Sequence, residues 1–153
     1  RQKIPFATFT TDIMAGFSGE LEEDLNQTLS IIEEVGFLKV HVFPYSVREG
    51  TLAAKYENRV EKAEKIKRVQ KIIDISKKTS KIILEGFLNY EVDVLYETLD
   101  SDGYYRGYSK NYILVKSKSC RNICGKIFKT LIISVQNEFC IGKIIKEEIW
   151  LCL

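Results

Sequence analysis

"TTDIMAGFSGELEEDLNQTLSIIEEVGFLKVHVFPY", residues 10–45, sets an acidic helical stretch between two apolar ones. The first apolar stretch lies within "FATFTTDIMAGF" (6–17) and is rich in β-branched and aromatic residues. It reads as a buried strand, with Gly16 and Gly19 as punctuation after it. In "ELEEDLNQTLSIIEEVG" (20–36), Leu21, Leu25, Thr28, Ile32 and Val35 recur at spacings of three and four, one face of a helix. Glu20, Glu22, Glu23 and Asp24 crowd its first turn, where the helix dipole favours negative charge. Gly36 supplies the left-handed residue that ends it. "FLKVHVFPY" (37–45) is the second strand. Strand, helix and strand joined by short loops make a βαβ unit, so the strands are expected parallel with a right-handed crossover.

Downstream, a long helix is expected from Val60 to about Glu85. Its inner face runs through Ala63, Ile66, Val69, Ile72, Ile73, Ser76, Thr79 and Ile83. Lys62, Lys65, Lys67, Arg68, Lys71, Lys77, Lys78 and Lys81 occupy the remainder. After Gly86 the hydrophobic period changes to two. "NYEVDVLYET", "GYYRGYS", "NYILVKS", "KIFKTLIISV" and "EFCIGKII" read as five short antiparallel strands with turn signals at Asp102-Gly103 and Lys110-Asn111. Such strands predict a small closed barrel of OB-like size. The fold class is therefore α/β followed by all-β, with the boundary near residue 86. No internal repeat or low-complexity tract appears.

A chain of 153 residues can bury a real core, and its 45% apolar and 29% charged content fits a globular protein. Charge is unevenly spread. Residues 1–58 hold five basic and nine acidic side chains, residues 59–85 nine and four, residues 86–153 nine and eight. The middle section is thus a basic stripe. No run of 18 apolar residues predicts a membrane span. Four Cys without a secretory signal read as reduced thiols of a cytoplasmic protein, expected to be monomeric. "RQKIPFATFTTDI" has no initiator Met and enters a strand at once, as if cut from something longer. The apolar tail 149–153 reads as an edge strand or a scar of truncation.

Gly16 and Gly19 sit between a strand's C-terminal end and a helix N-terminus, where open α/β sheets bind ligands through free N–H groups. A plain tight turn would leave the same glycines. "YSVREGT" follows the neighbouring strand, so two loops converge at one rim. His41, the only histidine, is mid-strand among apolar residues and reads as a core or rim histidine rather than a base. Cys120-x-x-x-Cys124 lacks the third thiolate that an iron–sulfur site needs, so no metal is expected there. "GYYRGYSKNYILVK" interleaves Tyr104, Tyr105, Tyr108 and Tyr112 with Arg106, Lys110 and Lys116. On a small barrel, exposed aromatics with cations stack bases and pair phosphates. Alternatively, alternate tyrosines face the core, which would claim two of the four.

"TTDIMAGFSGELEEDLNQTL", "LKVHVFPYSVREGTLAAK" and "GYSKNYILVK" resemble, in order and spacing, the C-terminal half of the radical S-adenosylmethionine methylthiotransferases, over roughly residues 5–145. Arg48-Glu49 in "HVFPYSVREGT" looks most like the branch acting on threonylcarbamoyl-adenosine beside the tRNA anticodon. The isopentenyl-adenosine branch usually has Pro after that Arg. The ribosomal-protein branch usually has an acidic residue in its place. The resemblance implies transfer of a methylthio group by S-adenosylmethionine and two [4Fe–4S] clusters, with tRNA as partner. It implies that residues 1–85 are the C-terminal part of a partial TIM-like barrel, and 86–148 a TRAM domain that grips RNA. Asp12, Gly16, Gly19, Tyr45, Ser46 and Arg48 carry over as cofactor-side residues. Tyr104, Arg106, Tyr108, Lys110, Asn111 and Lys116 are the candidate RNA contacts.

The family's Cys-x-x-x-Cys-x-x-Cys motif is absent from this chain, so the isolated chain is expected to be inactive. The chain also departs from the family pattern. Prolines usual there are Ser18, Val47 and Leu52, and a usual helix-capping Thr is Leu21. Lost prolines loosen loops by about 0.4–1 kcal/mol, and a lost cap costs about 1 kcal/mol. Two other readings stand beside the enzyme fragment: a stand-alone RNA-binding module, and a fragment of a ribosomal-protein methylthiotransferase.

Overall fold

A computed structural model of the chain describes residues 3–147. The expected tail strand lies outside the described residues. Contacts divide the chain into two compact units, residues 9–80 and a second built from the segment up to Thr8 with the chain from Lys81 onward. No helix among the described residues is long and apolar enough to cross a membrane.

In the first unit, β1 (Thr10–Ala15) and β2 (Lys39–Pro44) pair in parallel, with Asp12 opposite His41 and Ala15 opposite Pro44. Between them runs α1 (Glu22–Val35). A short 3-10 turn (Leu52–Lys55) and α2 (Lys62–Glu85) follow. Alternation along the strands sends Ile13, Ala15, Val40 and Val42 to one face. There they meet Leu25, Leu29, Ile32, Val69, Ile72 and Ile75 in one core cluster. The opposite face is open. Thr10, Asp12, Met14, Lys39, His41 and Phe43 are all exposed on it, Met14 and Phe43 by 55% each. The strands are therefore buried on one side only, and His41 is no core histidine.

The helix faces differ from the expected ones at their ends. Leu21 and Val35 are exposed, and Leu29 takes the inner place instead. Leu21 holds the N-cap position of α1 with no side-chain acceptor to offer. Only the reciprocal half of a capping box remains, the Leu21 N–H donating to the Asp24 carboxylate at 2.8 Å. At the other end Gly36 is left-handed (φ 64°) and its N–H donates to Ile32 O. In α2, Ala63 and Ile66 are exposed, whereas Arg68, expected on the outer side, is 7% exposed.

The second unit is a closed barrel of β3 (Glu91–Leu99), β4 (Tyr105–Ser109), β5 (Leu114–Ser117), β6 (Lys126–Gln136) and β7 (Phe139–Glu147). The order around it is β3-β4-β5-β7-β6. Four pairs are antiparallel. The pair that closes it, β5 with β7, is parallel, Val115 facing Cys140. The expectation of a wholly antiparallel barrel is corrected there: five strands bring an odd number of directions around a ring, so one pair must run the same way.

Val94, Tyr96, Tyr105, Ile113, Val115, Phe128, Ile132 and Cys140 fill the interior. Its buried hydroxyls satisfy one another. Tyr96 donates to Ser117 Oγ (2.6 Å) and lies 3.1 Å from Thr130 Oγ1, and Ser117 donates to Gly142 O. Two glycines have no room for a side chain. A Cβ on Gly107 would overlap the Leu95 carbonyl, and one on Gly142 would overlap Thr130. The N-terminal segment belongs to this unit. Phe6 packs on Phe87 and Tyr90, and Thr8 Oγ1 donates to Asn111 O.

Candidate functional site

The loop after β1 is built inward. Gly16 is buried and left-handed (φ 76°), a conformation that favours glycine. Its N–H donates to Glu20 Oε2 at 2.8 Å, and that of Phe17 to the same oxygen at 3.3 Å. The Gly19 N–H donates to Asn58 O. The N–H groups of Gly16, Phe17 and Gly19, expected to be free for a ligand, are therefore consumed, two by Glu20 and one by Asn58 from the segment before α2. Acidic Glu22, Glu23 and Asp24 fill the first turn of α1, so this helix end disfavours an anion.

Glu20 also ties the loop to α2. Its Oε1 accepts from Arg68 Nη1 at 2.7 Å, its carbonyl accepts from the same nitrogen at 2.9 Å, and Arg68 Nε donates to Glu64 Oε1 at 3.3 Å. The Glu20 hydrogen bond is the main reason the guanidinium is held still more firmly protonated than usual. Sequence periodicity missed Glu20, Glu64, Lys65 and Arg68 as a site-shaping group. Buried charge carries no apolar signal, although Glu20 four residues after Gly16 was a readable capping cue.

The second rim segment splits by burial. Tyr45 is 8% exposed, packed edge-on to Phe17 (4.8 Å between ring centroids) with Lys65 Nζ 5.2 Å over its ring. Lys65 Nζ also donates to Tyr45 O at 3.0 Å. The Tyr45 hydroxyl and the Ser18 hydroxyl are buried without a partner among the described residues. Ser46 and Arg48 are exposed, and the Arg48 guanidinium meets no carboxylate among the described residues. Asp12 stands apart from these on the open sheet face beside His41.

On the barrel, alternation along β4 sends Tyr105, Gly107 and Ser109 inward and leaves Arg106 and Tyr108 outside, with Lys110 exposed in the turn that follows. Of the four tyrosines only Tyr105 is buried, one fewer than the core alternative expected; Tyr104 is half-buried. The cations are already matched. Arg106 lies 3.8 Å from Asp100, Lys110 3.8 Å from Asp93, and Lys116 2.8 Å from Asp100 and 3.1 Å from Asp102. Asp100, then Asp102, push the Lys116 ammonium above its ordinary pKa. The Tyr104 N–H, then Lys116, lower that of Asp102. Asn111 is occupied too, its Nδ2 donating to Phe6 O at 2.7 Å. Asp100 and Asp102 stand near Arg106 in "LDSDGYYRG", but the partners of Lys110 and Lys116 are distant in sequence.

No family model matches the chain. Individual proteins do. Over 97% of its length it is 31% identical to threonylcarbamoyladenosine tRNA methylthiotransferase MtaB of Bacillus subtilis. Over 95% it is 34% identical to the tRNA-2-methylthio-N(6)-dimethylallyladenosine synthase of Acetivibrio thermocellus. Its homologues are tRNA methylthiotransferases. A further dimethylallyladenosine synthase, from Symbiobacterium thermophilum, is 36% identical over 83% of the chain. Overall identity therefore does not separate the two modifications. The chain spans about a third of the length of these methylthiotransferases, 35%, 31% and 27% respectively. Among the described residues no three histidine, cysteine or carboxylate side chains gather as a metal site. An iron–sulfur cluster needs at least three close thiolates, so these residues do not fit one.

Proposed function

We propose that this chain is the C-terminal part of a tRNA methylthiotransferase, contributing one side of a radical S-adenosylmethionine barrel and an RNA-gripping TRAM barrel. The observation that supports it is the match to MtaB over 97% of the chain, which takes in both units. The substrate we assign is threonylcarbamoyl-adenosine beside the anticodon, on Arg48-Glu49 in the rim segment.

The open face of β1 and β2 suits the cofactor's mixed chemistry. Met14 and Phe43 offer apolar surface, and Asp12 and His41 offer polar groups beside it. Arg48, exposed and beside no carboxylate among the described residues, can fork two hydrogen bonds to a carboxylate. Gly16 and Gly19 act by leaving space, since their N–H groups are taken. S-adenosylmethionine, when bound and reduced in the whole enzyme, supplies the radical and the methyl group. This chain's residues hold and orient it, and the isolated chain transfers nothing.

A chimaera tests the proposal. This chain replaces the corresponding segment of the Bacillus subtilis MtaB, and tRNA from the host is examined by nucleoside mass spectrometry. Methylthio-threonylcarbamoyl-adenosine is expected. A chimaera that is folded and iron-loaded yet leaves that nucleoside unmodified refutes the assignment. Modification only when the chain is placed in a dimethylallyladenosine synthase reassigns the substrate.

A further inference from the structure

The outer wall of the barrel carries a groove of about 1030 Å³ lined by Leu95, Ile127, Tyr108, Tyr112, Asp93 and Glu97, together with Ser109 and Lys110. Tyr112 is its most exposed aromatic. The side chain is 76% exposed, the backbone is left-handed at φ 59°, and the Tyr112 N–H closes a turn onto Ser109 O. A large non-glycine residue in that region is uncommon and strained. The turn bond is the return on the backbone, but the side chain gains none: among the described residues the Tyr112 ring packs on no other ring and its hydroxyl has no partner. Asparagine or glycine would suit the backbone better.

The electrostatics of the groove do not favour a phosphate-led ligand. Lys110 is set against Asp93, which also takes Lys129 at 3.3 Å. Glu97 is exposed in the same wall and adds an acceptor with no ion-pair partner among the described residues. A carboxylate repels a phosphate but accepts from the amino edge of a base. Flat aromatic faces, apolar flanks and a hydrogen-bond acceptor together match an unstacked nucleobase. The volume has room for more than one.

We infer that Tyr112, with Tyr108 across the groove, stacks unpaired RNA bases, and that Glu97 accepts from their amino groups. The inference rests on the RNA-gripping role proposed above and replaces phosphate pairing by Arg106, Lys110 and Lys116 as the barrel's means of grip. It also adds two residues, Glu97 and Tyr112, to the RNA face.

The test uses the 153-residue chain and a fluorescein-labelled tRNA, with binding by anisotropy at several salt concentrations and stability by thermal unfolding. Tyr112→Asn should weaken binding by about 5- to 100-fold, the span of one lost stacking contact. It should leave the unfolding midpoint equal to or above that of the wild type, because the strain is relieved. Tyr112→Phe should bind normally. Arg106→Ala with Lys110→Ala should change affinity less than about threefold and leave the salt slope unaltered, since a cation lost from a phosphate contact would remove close to one unit. Binding by Tyr112→Asn within twofold of wild type overturns the inference alone, as does a lowered midpoint matching its lost affinity. Absence of binding by the wild-type chain at about 50 mM salt, where phosphate contacts are strong, overturns the RNA-gripping role and this inference with it.

Discussion

Replacing Arg68 by leucine should destabilise the first unit by about 3 kcal/mol, chiefly through what it leaves behind on the loop after β1. The guanidinium is 8% exposed as a side chain and its closest partner, the Glu20 carboxylate, 15%. Breaking a buried pair from one side costs about 3–5 kcal/mol, because the survivor's charge stays desolvated. Two features pull the figure toward the lower end. Glu20 Oε2 keeps the N–H groups of Gly16 and Phe17, so the orphaned carboxylate is partly satisfied. Glu64 is 36% exposed and returns to water at little cost. Leucine preserves most of the stem's packing, which isolates the charge effect.

Urea unfolding of the wild type, Arg68→Leu, Glu20→Gln and the double variant measures the coupling. Arg68→Leu should cost less in the Glu20→Gln background by about 2 kcal/mol, since no charge is then stranded. Amide exchange at Gly16 and Phe17 should accelerate in Arg68→Leu, because Glu20 loses the anchor that aims it at them. A cost below about 1 kcal/mol, or an equal cost in both backgrounds, would show that the network holds nothing and that the loop is positioned by packing alone.

Leu21→Thr restores the missing acceptor at the α1 N-cap, where Leu21 is 65% exposed and buries little. It should stabilise by about 1 kcal/mol and raise the midpoint by about 2–4 °C in thermal unfolding. Gly107→Ala should cost about 3 kcal/mol or prevent barrel closure, because its Cβ meets backbone of β3 that cannot swing away; circular dichroism and urea titration read the outcome. Cys140 is fully buried, and burial pushes its thiol up to about 12 from an ordinary 9.0. The native state therefore binds its proton more tightly than the unfolded chain, so its contribution to stability falls as pH climbs from about 9 to about 12. Mass-mapped alkylation at pH 8 should label exposed Cys120 and spare Cys140 until urea is added, and Cys140→Ala should flatten the alkaline decline.

What was legible followed from apolar periodicity. The α1 core positions Leu25 and Ile32, the change of period after Gly86 and the five barrel strands all announce themselves by which residues avoid water. Three things did not. The parallel β5–β7 closure joins strands whose paired residues, Val115 and Cys140, lie far apart in sequence, and local pattern carries no record of that register. Arg68 reads as one more lysine-stripe cation, because a residue buried by pairing looks identical in sequence to one left in solvent. The neutralisation of Arg106, Lys110 and Lys116 depends on the pairing of β3, β4 and β5 and the turn after β3, which bring Asp93, Asp100 and Asp102 to them. Counting tyrosines and cations picks out a stretch of the barrel surface without showing which of its cations lie beside carboxylates.

The two-stranded sheet carries the last consequence. Parallel sheets are ordinarily covered on both faces, and two strands alone are marginal. Here β1 and β2 pair only with each other among the described residues, and one face leaves Met14 and Phe43 each 55% exposed. Fully burying such a side chain is worth about 1.5–3 kcal/mol, so covering the exposed half of both would add about 2 kcal/mol. If the proposed assembly is right, the chain by itself lacks that term. Amides of β1 and β2 should then exchange from local openings well below the global stability, and the five barrel strands should not. In the MtaB chimaera, where the rest of the proposed barrel can enclose the open face, protection at Ile13 and Val42 should rise by roughly thirtyfold, the equivalent of that 2 kcal/mol. Equal protection of β1, β2 and the barrel strands in the isolated chain would mean that the open face needs no partner, and the half-barrel reading would lose its physical basis.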